Sequence, residues 1–158
     1  MTTWLNGDGL VVKFGTTEAE STIGGENTTD GNTRVLEFDL TFADLAATGV
    51  EGILADNVRI PDGAFLEEAT FTVTTAFAGA TATLTLGVID ADRSTAVDAD
   101  GIDVAIAVTA IDAIGDVITC DGALVGTTLA TGGLVTATEG TAAFTAGAGK
   151  LRLKYFMV

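Results

Sequence analysis

Residues 69–90 read ATFTVTTAFAGATATLTLGVID, and no other stretch restricts the fold as strongly. Phe71, Val73, Thr75 and Phe77 alternate with Thr70, Thr72 and Thr74. Beyond Gly79-Ala80, Ala82, Leu84, Leu86 and Val88 alternate with Thr81, Thr83 and Thr85. A period of two is that of a strand with one face buried. The simplest reading is a hairpin with a type II′ turn at Gly79-Ala80, pairing Phe77 with Ala82, Val73 with Leu86 and Phe71 with Val88. A longer loop, or two strands in facing sheets, keeps the same apolar set inside.

The rest of the chain agrees with this pattern. Residues 34–42, RVLEFDLTF, put Leu36, Phe38, Leu40 and Phe42 on one face and Glu37, Asp39 and Thr41 on the other. Residues 150–158 set Leu151, Leu153, Tyr155 and Met157 against Lys150, Arg152 and Lys154. Shorter strands fit residues 10–14, 58–60, 117–120 and 134–138, with Pro61-Asp62-Gly63 and Asp121-Gly122 as turns. One helical turn fits residues 43–47. Residues 102–115, IDVAIAVTAIDAIG, fit a strand with Ile102, Val104, Ile106 and Val108 on one face. They also fit a short helix capped by Asp103 and ended by Gly115, and the alanines favour the helix. Residues 15–33 are polar apart from Ile23 and read as a long loop. The expectation is an all-β, antiparallel sandwich of about eight strands, jelly-roll-like, with at most one or two short helices. It occupies residues 10–158 and follows an N-terminal arm, residues 1–9.

Composition narrows the function. A chain of 158 residues is long enough to form one domain that buries roughly 70% of its unfolded surface. The formal charge of −15 argues against nucleic acid and against anionic membranes, both of which select for clustered Lys and Arg. No apolar run is long enough to span a membrane. The start has no basic segment followed by an apolar stretch, so synthesis in a cytoplasm without secretory export is expected. Cys120 is the only cysteine, and its neighbours Thr119 and Asp121 give no positive charge to activate it. It reads as a small buried side chain.

The chain contains no histidine, which removes the commonest general base and the Ser-His and Cys-His pairs. Neither Ser21 nor Ser94 lies in G-x-S-x-G, and no phosphate-binding glycine loop is present. Glu67 and Glu68 are adjacent on an expected strand, so their side chains should point to opposite faces. No catalytic role is expected. The one metal candidate is calcium at Asp98, Asp100 and Asp103. That stretch resembles an EF-hand loop but departs from it in glycine position and in lacking the final glutamate. A solvated loop is the plainer reading, and no cofactor is expected.

Two features suggest contact with a partner. Lys150, Arg152 and Lys154 form a basic stripe, read either as protection for an edge strand or as a contact for an acidic surface. Trp4 and Leu5 lie before Asn6-Gly7-Asp8-Gly9, in an arm able to reach a neighbour, and tryptophan is enriched at binding hot spots.

The segments WLNGDGLVVKFGTTEA, TIGGE, GVIDADRSTAVDADGID, GALVGTTL and EGTAAFTAG together resemble small structural proteins of tailed bacteriophages, the capsid decoration (cement) and head-fibre proteins. The resemblance implies a β-sandwich on the outside of an assembled capsid, frequently trimeric, that binds the major capsid protein and stabilises the shell. A head-fibre or receptor- and glycan-binding module is the alternative. For that role Trp4 and Tyr155 are the only Trp and Tyr able to offer a ring to a sugar.

Overall fold

The computed structural model describes residues 2–5, 11–14, 33–45, 52–55 and 57–158. It divides the chain into two compact units, residues 1–32 and 33–158. In the first, β1 (Thr2–Leu5) pairs antiparallel with β2 (Val11–Phe14), with Trp4 opposite Val12. Residues 6–10 and the polar residues 15–32 lie outside the described residues.

The second unit consists of strands in chain order: β3 (Arg34–Thr41), β4 (Gly52–Ile53), β5 (Arg59–Ile60), β6 (Ala64–Ala78), β7 (Thr83–Ile89), β8 (Ala96–Ala107), β9 (Val117–Thr119), β10 (Thr127–Thr128), β11 (Gly133–Gly140) and β12 (Ala146–Met157). Short 3₁₀ turns follow β3, at Phe42–Asp44, and β8, at Val108–Ala110; the described residues contain no α-helix. One sheet runs β10-β6-β12-β3, with β9 also on β6. The other runs β4-β11-β7-β8, with β5 also on β11. If β4 and β5 count as one interrupted strand and β9 and β10 as another, the eight positions run 1-8-3-6 in one sheet and 2-7-4-5 in the other. That is the strand order of a jelly roll, two Greek keys folded together.

Residues 69–90 therefore form no hairpin. β6 and β7 lie in different sheets, and the chain crosses from one to the other at Gly79-Ala80. Alternation sets which side chains face inward but not which strand is the hydrogen-bonding neighbour. The apolar set is the expected one apart from Thr75, which is exposed: Phe71, Val73, Phe77, Ala82, Leu84, Leu86 and Val88 are all buried. They join Phe38, Leu40, Ile102, Ile106, Val135, Leu151, Leu153 and Tyr155 in one core. Each large apolar side chain so buried contributes about 1.5–3 kcal/mol. Two expected core positions lie at strand ends and are exposed instead, Phe42 at 41% and Met157 at 45%.

The helix expected over residues 102–115 is a strand and a turn. Ile102 and Ile106 are buried, a spacing of four that suits either period. The strand forms because the edge of β7 is otherwise unpaired, and β8 fills it: Thr83 pairs with Ala107, Leu84 with Ile106 and Leu86 with Asp103. An extra residue in β8 puts Ala105 at φ +52° and turns Val104 outward, 56% exposed.

Candidate partner-binding face

The outer face of the first sheet carries the basic residues singled out from the sequence, Lys150, Arg152 and Lys154. β12 is an interior strand, held between β6 and β3, so its lysines and arginine do not protect an edge. Its odd positions, Leu151, Leu153 and Tyr155, enter the core, and its even positions point away from it. Pairing then arranges this face in rows. Lys150 stands between Thr72 and Asp39, Arg152 between Thr70 and Glu37, and Lys154 between Glu68 and Val35. Beyond them Phe156 lies opposite Phe65, with ring centroids 4.9 Å apart.

The basic stripe is matched by acids of its own chain. Lys150 Nζ lies 3.3 Å from Asp39 and 3.8 Å from Glu37, and Arg152 Nε lies 3.9 Å from Glu37. Lys154 Nζ lies 3.1 Å from Glu67. All of these pairs face water, where each stabilises the fold by at most about 1 kcal/mol. The partner for Lys154 depends on a bulge. Lys154 pairs with Glu68 and Tyr155 with Leu66, so Glu67 is an extra residue in β6. Glu67 and Glu68 are consequently both exposed, not on opposite faces as expected. A parity change was visible in the sequence, since buried Leu66 is even-numbered whereas buried Ala69, Phe71 and Val73 are odd-numbered.

Along the side of the sandwich, the three aspartates of the calcium candidate are not brought together. Asp98 and Asp100 are neighbours, and the side-chain hydrogen bond between them raises the Asp98 pKa. Asp103 is 6% exposed and shares a side-chain hydrogen bond with Cys120, the thiol donating to the carboxylate. It caps no helix. Burial raises the Asp103 pKa, and burial followed by the Asp103 charge pushes the Cys120 thiol up to about 12. Among the described residues, no group of three or more His, Cys, Asp or Glu is placed to hold a metal ion. The Asp103–Cys120 pair escaped the sequence reading because its members are seventeen residues apart, Asp103 on β8 of one sheet and Cys120 just past β9 of the other. They meet because the residues after β9 reach across the sandwich. Cys120 N–H donates to Ala69 O at 2.9 Å, Gly122 N–H to Ile102 O at 2.9 Å and Leu124 N–H to Gly101 O at 2.8 Å.

Tyr155 is 4% exposed and offers no ring to a sugar. Trp4 and Leu5 lie on β1, in the N-terminal unit, paired with Val12 and Val11.

No protein-family model and no curated protein matches the sequence. Solved structures do. A chain of the cyanophage Pam1 capsid asymmetric unit is 20% identical with a TM-score of 0.58, over 90% of this chain and 98% of that one. A chain of the Ralstonia phage GP4 capsid is 20% identical with a TM-score of 0.55, over 87% and 93%. A chain of the acidic stable capsid of Helicobacter pylori bacteriophage KHP30 is 18% identical with a TM-score of 0.52, over 79% and 87%. At these identities what is shared is the fold: the chain is an all-β sandwich of the kind found among chains of phage capsids.

Proposed function

We propose that this protein is a non-enzymatic structural component of a tailed bacteriophage, which decorates the outer surface of the capsid and stabilises the shell by binding the major capsid protein. The observation that carries this reading is the completeness of the fold match. It takes in 98%, 93% and 87% of the three capsid chains, so each is a small chain matched nearly end to end rather than a domain of a larger one. The phage-like sequence segments and the lack of histidine support the same role. Stabilisation would follow from mass action. A chain that binds the assembled lattice and not free subunits adds about 2.7 kcal/mol at a concentration one hundred times its Kd. Trp4 and Leu5 are proposed as anchors on the shell.

The test is heat release. Capsids lacking the protein are melted alone, with the wild-type chain and with Trp4→Ala. A higher release temperature with wild type, and binding weakened by about 2 kcal/mol with Trp4→Ala, is expected. Equal release temperatures with and without wild type would sink the reading.

A further inference from the structure

We infer that the outer face formed by β6, β12 and β3 is a self-complementary docking surface for a second copy of this chain, related by a two-fold axis. The inference does not rest on the capsid reading.

The first observation is charge. The chain carries −15, but this face holds Lys150, Arg152 and Lys154 against Glu37, Asp39, Glu67 and Glu68, three positive charges against four negative, or −1. Two copies that approach through this face meet little net repulsion, although the chain as a whole is strongly acidic.

The second observation is the order of the stripes. A basic strand, β12, lies beside β3, whose outward charges are both acidic, with a spacing of about 4.8 Å. A uniformly acidic partner would be attracted to β12 and repelled by β3. A partner with the same two stripes in reverse order is attracted to both. The face supplies that partner itself. A two-fold axis parallel to the strands, passing between β12 and β3, lays the β12 of each copy over the β3 of the other. Lys150 and Arg152 then meet Glu37 and Asp39 of the second copy, twice over. The same rotation keeps equal heights on the strands in register, so Lys154 lies over the 41%-exposed Val35 of the second copy.

With the axis between β12 and β3 only these two strands of each copy overlap, a strip about 10 Å wide that falls below the size of a stable interface. A weak association that strengthens with concentration is therefore expected. The experiment is sedimentation of the full chain from micromolar to near-millimolar concentration. Glu37→Lys/Asp39→Lys and Lys150→Glu/Arg152→Glu are run separately and mixed, and thermal melting confirms that each is folded. Wild type should reach a dimer, and each double variant alone should associate roughly tenfold or more weakly. An equimolar mixture should restore the dimer, because each variant then meets opposite charge on both stripes. The wild-type dimer should also weaken as salt rises, a readout that needs no variant. A wild-type monomer throughout, a three-fold assembly, salt-independent association, or a mixture no better than its parts would each overturn the inference. Failed capsid binding with an intact dimer would sink only the capsid reading.

Discussion

β8 and β12 are both twelve residues long, and they were not equally easy to recognise. β12 alternates Leu151, Leu153 and Tyr155 with Lys150, Arg152 and Lys154, and its pairing with β3 runs unbroken from Ala148↔Thr41 to Tyr155↔Arg34. β8 is an edge strand with one neighbour, β7, and its pairing shifts three times. Where β12 lies beside β6 the extra residues all fall in β6, Glu67 among them, so the side chains of β12 keep a strict period although its neighbour does not. An edge strand can take extra residues at little cost, and each one reverses the parity of the residues after it. A strand without extra residues, such as β12, is therefore read directly from the sequence, whereas a bulged strand such as β8 resembles other things.

The first way to break this comparison has the largest expected effect. Leu153→Ala in β12 removes a fully buried side chain and should cost about 2–5 kcal/mol in chemical denaturation. Val104→Ala in β8, already turned out to solvent, should change stability by no more than about 0.5 kcal/mol. Similar losses at both sites would mean that Val104 is packed and the bulge at Ala105 is absent.

A second variant tests the larger excursion in β8. Between Leu86↔Asp103 and Val88↔Asp98, β7 advances by two residues and β8 by five, so residues 99–102 fold over the strand. Gly87 leaves room for them, since a Cβ there would lie 2.1 Å from Ala99 O. Gly87→Ala should cost about 1–3 kcal/mol, because the obstacle is backbone and cannot turn aside. Unchanged stability would place residues 99–102 elsewhere.

The smallest effect sharpens the contrast through pH. Burial raises the Asp103 pKa, so above the ordinary value of 3.8 the folded chain keeps this proton longer than the unfolded chain does. The resulting stabilisation is present in full below that ordinary value and is lost as pH rises through the raised folded value. Asp103→Asn should flatten this part of a plot of Tm against pH. Variants of the exposed Glu37 and Asp39 on β3, the edge strand beside β12, should keep it. Curves of the same slope for wild type and Asp103→Asn would contradict the burial of this carboxylate.

Part of the candidate face was also legible. Lys150, Arg152 and Lys154 could be placed on one side of a strand from period alone, and so could Glu37 and Asp39. That these two groups lie side by side could not, because residues 34–42 and 150–158 are more than one hundred positions apart and alternation carries no information about neighbours. The Asp103–Cys120 contact was hidden for the same reason.

The sequence by itself determined the all-β class and the apolar residues of β3, β6, β7 and β12 that form the core, because a period of two assigns each side chain to a face. It also determined the lack of histidine chemistry and the net charge. Only the tertiary structure decided that β6 and β7 face each other across the core, that β12 is interior, and that residues 96–107 are a strand. These outcomes depend on which backbone edges are left to pair once the sheets assemble, because buried N–H and C=O groups need partners and alternation does not say which strand supplies them.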